Sequence, residues 1–209
     1  MNDARIVAEK LLQVDAVRLH PANPFTWASG WKSPIYCDNR SLLSYPFVRD
    51  LIKSELSNIV FSKFSEAELV AGVATAGIPW GALVADQLKL PFIYVRSKPK
   101  DHGLGNQIEG RYETGQKVIV IEDLVSTGKS SLEAVDALLN ADLQVSGMVS
   151  IFTYDFKVAA EAFAARNLKY HPLTSYPILL SLALEKGIIS ETDLELLLKW
   201  REDPANWGR

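Results

Sequence analysis

Two adjacent acids, Glu122 and Asp123, directly follow the apolar run Val118-Ile119-Val120-Ile121, and the chain continues Leu124-Val125-Ser126-Thr127-Gly128-Lys129-Ser130-Ser131. A run of that composition is expected to be a strand buried on both faces of a parallel sheet. Ligands of open parallel sheets bind beyond the carboxyl ends of the strands, so the acids fall where such folds do chemistry. The hydroxyl-rich turn then leads into a helix, with a capping box expected from Ser130 to Glu133, and a helix start offers N–H donors to an anion. A phosphate monoester suits those donors, while two carboxylates suit neighbouring hydroxyls, and ribose 5-phosphate carries both groups. Gly128-Lys129-Ser130 also matches the end of a Walker A loop. The first glycine of that loop would fall at Asp123, where a carboxylate repels a triphosphate. Two readings stand at this point: a sugar-phosphate site, or solvated strand-end acids beside an ordinary helix start.

A second segment of chemical interest is Arg96-Ser97-Lys98-Pro99-Lys100-Asp101-His102-Gly103-Leu104-Gly105, running on to Gly110. Its cations stand among glycines and a proline without apolar periodicity, which describes a long, cationic loop. Such a loop can close over a pyrophosphate, offset the charge growing on that leaving group, and exclude water while an oxocarbenium-like sugar exists. Taken alone, a solvated surface loop is the plainer reading; beside the acidic window it is not. Gly72-Val73-Ala74-Thr75-Ala76-Gly77-Ile78-Pro79 is a third, weaker signal. Its small residues permit close approach of backbone to an anion, and tight strand-to-helix packing explains them equally well.

These segments need a scaffold, and the rest of the chain supplies a regular one. Short apolar runs at Leu69–Val73, Pro91–Val95, Lys117–Ile121 and Val145–Phe152 alternate with helical patterns at Trp80–Leu88, Ser130–Asn140 and Asp155–Arg166. That alternation predicts an α/β fold, a parallel sheet flanked by helices, over residues 65–173. Residues 1–64 read as a small hood: a helix over Ala4–Val14, an irregular aromatic loop over residues 21–34, a short strand at Ile35–Cys37, and a helix over Tyr45–Phe64 with Pro46 in its first turn. Residues 174–209 read as closing helices at Ile178–Lys186 and Leu194–Arg201, the second opened by a capping box from Ser190 to Asp193. All 209 residues are expected to form one domain. The hydrophobic fraction of 48% against 22% charged supports a sizeable core and argues against disorder. A net charge of -3 disfavours nucleic acid as the main ligand. The lone Cys37 excludes an intrachain disulfide and fits a reducing compartment, and neither a leader nor a membrane span is expected, so the cytoplasm is the expected location. His20 and His171 have no metal-ligand partner at suitable spacing, and the tryptophans are packing groups first.

The strand, acid pair and Ser/Thr-Gly turn over residues 118–131 resemble the phosphoribosyl-pyrophosphate motif of type I phosphoribosyltransferases. Arg96, Lys100, Asp101, His102 and Gly103 stand as in the mobile catalytic loop of the orotate phosphoribosyltransferases. Phe25-Thr26-Trp27-Ala28-Ser29-Gly30-Trp31-Lys32-Ser33-Pro34 resembles that family's base-side loop. The resemblance runs from about residue 5 to 155 in consistent order. It implies transfer of the phosphoribosyl group from phosphoribosyl pyrophosphate to orotate, with Mg2+ held mainly through the diphosphate and waters rather than by direct protein ligands. It implies that Lys100, His102 and Asp123 are catalytic, and that Arg96, Lys100, His102 and residues Glu122, Asp123, Leu124, Val125, Ser126, Thr127, Gly128, Lys129 and Ser130 bind phosphoribosyl pyrophosphate. Ser126 is placed beside orotate. It implies further a homodimer in which residues 98–110 of one subunit cover the other's site. Three departures stand out: Ala28 and Ala76 replace lysines found in some relatives, and no arginine follows Phe152. Tyr154, or backbone near Lys32 and Ser33, is then expected to meet the orotate carboxylate. Transfer to a purine base is disfavoured by Lys100-Asp101-His102-Gly103. A non-catalytic, nucleic-acid-binding sensor of phosphoribosyl pyrophosphate on the same fold is disfavoured by the acidic charge balance.

Overall fold

A computed structural model of the chain describes residues 3–27, 30–97 and 107–207. The chain opens with helix α1 (Asp3–Gln13), strands β1 (Val17–Leu19), β2 (Phe25–Thr26), β3 (Lys32–Ser33) and β4 (Ile35–Cys37), a 3-10 turn over Ser41–Ser44, and helix α2 (Pro46–Lys63). There follow β5 (Leu69–Val73), α3 (Gly77–Leu88), β6 (Phe92–Val95), β7 (Ile108–Glu109), β8 (Lys117–Val125), α4 (Lys129–Asn140), β9 (Gln144–Thr153), α5 (Lys157–Ala165), β10 (Tyr170–Ser175), α6 (Tyr176–Glu185) and α7 (Glu191–Glu202).

The central sheet has the order β10-β9-β8-β5-β6-β7. All its pairings are parallel except the last, where β7 returns antiparallel along β6. The expected parallel sheet therefore carries one antiparallel edge strand, built from the far end of the segment expected to be a loop. Along β8 the side chains alternate between two cores. Ile119 and Ile121 pack with α2, α3, α6 and α7, while Val118 and Val120 pack with α4 and α5. Both faces are covered, which is why this strand reads as an unbroken apolar run.

The chain passes from β5 outward to β6, then crosses back to β8 on the other side of β5. The crevice beyond the carboxyl ends of β5 and β8 is thus the switch point at which open sheets of this kind take ligands.

Several local expectations are corrected. Residues 21–34 are not wholly irregular, since β2 and β3 pair antiparallel with Phe25 opposite Ser33. A further strand, β1, pairs with β4. β10 had no apolar alternation to announce it, and Pro172 is tolerated there because β10 lies at the sheet's edge. The capping box expected at Ser130 does not form. Helix α4 starts at Lys129 with Gly128 as its N-cap, at φ 78, and no side chain caps it. Ser130 is therefore already inside the first turn. The capping box at Ser190 and Asp193 is present as expected.

Candidate functional site

Where β5 and β8 end, the turn after β5, the acid pair and the turn after β4 enclose a pocket of about 310 Å3. Cys37, Asp38, Arg40, Ala74, Thr75, Ala76, Glu122, Asp123, Leu124 and Ser130 line it. β8 extends through Val125, four residues beyond the expected end at Ile121, so Glu122 and Asp123 sit in the last part of the strand itself. Glu122 is 5% exposed. Its Oε2 accepts from the Ser131 hydroxyl at 3.1 Å, and its Oε1 accepts from the Asp123 backbone N–H at 3.1 Å. Burial, and then the adjacent charge of Asp123, push the Glu122 carboxyl well above its ordinary range. Burial also raises Asp123, against the opposing charge of Arg40.

The close approach of α3 to β8 depends on one glycine. A Cβ on Gly77 would stand 2.6 Å from the Ile121 carbonyl oxygen. The helix start is thereby brought against the acid strand, with Ala74, Thr75 and Ala76 forming the opposite wall of the pocket. The Gly72–Pro79 segment thus packs tightly against the strand and also supplies a pocket wall of small residues.

The hood reaches the acids through Asn39. Its side chain, 1% exposed, donates to the Asp123 carbonyl oxygen at 2.7 Å. The Cys37 thiol donates in turn to Asn39 Oδ1 at 3.3 Å. Cys37, Asp38 and Arg40 line the pocket and Asn39 bonds to its acid strand, four site residues that the sequence analysis does not single out. The available signal was a polar run directly after an apolar strand, the same pattern that marked Glu122 and Asp123.

The remaining expected residues divide by location. Leu124 and Val125 pair with Phe152 and Thr153, so their main chain is committed to the sheet. Ser126 and Thr127 are half-buried in the turn, and Gly128 is buried. Lys129 extends to solvent with Glu133 at 4.0 Å. Thr127 also lines a neighbouring cavity of about 520 Å3 with Trp31, Asp155, Phe156, Lys157 and Arg201. Arg96 is not among the residues lining the acidic pocket: it stands at the end of β6, 3.7 Å from Glu109, and its backbone N–H and C=O both bond Gln107. Tyr154 is 2% exposed and packs against Trp27, Phe152, Phe156, Tyr176 and Trp200, with its N–H bonded to the Val125 carbonyl behind Ser126. His20 and His171 stack edge-on against Phe25 and Phe64. Ala28, Lys98, Lys100 and His102 lie outside the described residues. Among the described residues no group of three or more His, Cys, Asp and Glu could hold a metal ion.

Residues 40–165 match the family described as phosphoribosyl transferase domain. The chain is 57% identical over 203 residues to the orotate phosphoribosyltransferase of Phocaeicola vulgatus, covering 97% of this chain and 96% of that one. It is 51% identical over 207 residues to the orotate phosphoribosyltransferase of Lactococcus lactis subsp. cremoris, covering 99% of each. Among solved structures, orotate phosphoribosyltransferase from Aeropyrum pernix matches with a TM-score of 0.74 at 26% identity, over 88% of this chain and 99% of that one.

Proposed function

We propose that this chain, which belongs to the orotate phosphoribosyltransferase family, does its chemistry in the pocket beyond β5 and β8. The reaction is transfer of the 5-phosphoribosyl group from phosphoribosyl pyrophosphate to orotate, giving orotidine 5'-monophosphate and pyrophosphate in pyrimidine nucleotide synthesis. The observation that carries the site assignment is the Glu122–Asp123 pair at the switch point, Glu122 buried and Asp123 half-buried, just ahead of the turn that leads into α4. Acids at that place can accept hydrogen bonds from ribose hydroxyls, and the N–H groups of residues 126–130 can take the 5-phosphate.

Asp123, at the pocket wall, faces the sugar on which positive charge develops as the bond to pyrophosphate breaks, and a fixed negative charge stabilises that state. Orotate's ring nitrogen attacks the anomeric carbon from the side of Ser126, with Tyr154 behind it. Lys100 and His102 meet the leaving pyrophosphate, and Arg96 anchors the segment that carries them. Magnesium, carried mainly by the diphosphate and waters, would supply neutralisation of the leaving-group charge. The carboxylates of Asp38 and Asp123 on the pocket wall suit the waters of such an ion. The working unit is a homodimer in which residues 98–110 of each subunit cover the other's site. No helix among the described residues is long and apolar enough to cross a membrane, and the substrates are water-soluble anions, so the setting proposed is the cytoplasm.

The test is loss of orotate absorbance on adding phosphoribosyl pyrophosphate and magnesium, beside parallel reactions with adenine, hypoxanthine, guanine and uracil. Orotate should be consumed fastest. No loss of orotate, or faster consumption of another base, would overturn the assignment.

A further inference from the structure

We propose that Arg40 is a binding residue for the diphosphate end of phosphoribosyl pyrophosphate, reaching it from the hood. The inference rests on the reading above and extends it to a residue on the pocket's other wall. The charged side chains lining the pocket are the acids Asp38, Glu122 and Asp123 and the single cation Arg40, among the described residues. The remaining lining is uncharged, and the wall formed by Ala74, Thr75 and Ala76 has backbone amides but no cation. A polyanion entering this pocket meets acids on β8 and needs positive charge opposite them.

The geometry prepares Arg40 for that task. It sits between β4 and the Ser41–Ser44 turn, next to Asn39, whose bond to the Asp123 carbonyl fixes this stretch of the hood to the acid strand. Asp38 accepts from both the Arg40 backbone N–H, at 3.3 Å, and Nε, at 2.7 Å, which sets the plane of the guanidinium. The terminal nitrogens donate to no described residue. A guanidinium held by its Nε edge presents its remaining N–H groups as a fork that matches two phosphate oxygens. With 63% of its side chain exposed, Arg40 is hydrated in the free protein and carries no burial cost. An ion pair this exposed contributes little to stability, so bracing the hood is a poor account of it.

The test is calorimetric titration of magnesium pyrophosphate, and separately of orotidine 5'-monophosphate, into wild type, Arg40→Gln and Arg40→Lys. Arg40→Gln should weaken pyrophosphate binding by about tenfold or more, and Arg40→Lys should recover part of that loss. Affinity for the nucleotide, which lacks the diphosphate, should stay within about twofold in all three proteins. In turnover, KM for phosphoribosyl pyrophosphate should rise while KM for orotate holds. Wild-type pyrophosphate affinity in Arg40→Gln would overturn the proposal. So would equal weakening of both ligands together with a lowered melting temperature, which would mark a merely structural brace. Wild-type protein that binds neither ligand would instead overturn the transferase site, and the role of Arg40 with it.

Discussion

Glu122, buried, and Asp123, half-buried, are adjacent acids, and their ionisation couples the candidate site to the stability of the fold. Glu122 titrates well above its ordinary value of 4.5 in the folded chain, chiefly through burial. Between the unfolded and folded values the native state therefore binds more protons than the unfolded state. The contribution of this group to stability is fully present below 4.5 and is lost as pH rises through the raised value. Glu122→Gln removes the group that must ionise at that cost while keeping an acceptor for Ser131. In urea titrations the variant should gain on wild type as pH rises above 4.5 toward the raised value, and it should bind phosphoribosyl pyrophosphate less well. A constant gap between the two proteins across that range would contradict the burial account. The two acids were readable in the sequence because they interrupt an apolar strand. Asn39 was not, because its role is a bond to a backbone carbonyl 84 residues away, which no local pattern encodes.

Helix α7 holds the aromatic part of the hood, a role that no motif in residues 174–209 suggested. Trp200 is fully buried, its indole N–H donates to the Lys32 carbonyl at 3.1 Å, and its ring packs on Trp27, Tyr154, Phe156 and Tyr176. The Tyr176 hydroxyl, bonded to the Leu197 carbonyl, joins α6 to α7 within the same cluster. Trp200→Ala should cost about 3–5 kcal/mol in chemical denaturation. It should also raise KM for orotate more than KM for phosphoribosyl pyrophosphate, because the hairpin it supports adjoins the proposed base side. Equal effects on the two substrates would detach this cluster from base binding. Strands β5, β8 and β9 could be read in advance because burial on both faces demands continuous apolar runs. The β2–β3 hairpin could not, since two-residue strands are too short to show alternation. The start of α4 was misplaced because Ser130 and Glu133 have capping-box spacing, while the left-handed conformation at Gly128 starts the helix earlier.

The first helix of the chain meets the first of the two C-terminal helices in space. Pairs between Arg5 and Glu185 and between Lys186 and Glu9 join α1 to α6 and its end, so the hood and the C-terminal helices cover the same face of the sheet. The site is built between that layer and the carboxyl ends of β5 and β8, and a second subunit is proposed to complete it with Lys100. Mixing subunits carrying only Lys100→Ala with subunits carrying only Asp123→Asn should create dimers with one intact site and one doubly altered site. Activity should exceed that of either parent and approach about half the wild-type value per mixed dimer. No recovery despite demonstrated subunit exchange would place residues 98–110 over their own subunit's site. The central claim, that transfer occurs at the acid pair between hood and sheet, is tested most directly by kcat/KM for orotidine 5'-monophosphate formation in Asp123→Asn. With folding verified by circular dichroism, the account predicts a loss of about 100-fold or more. A folded Asp123→Asn protein that turns over within about twofold of wild type would contradict it.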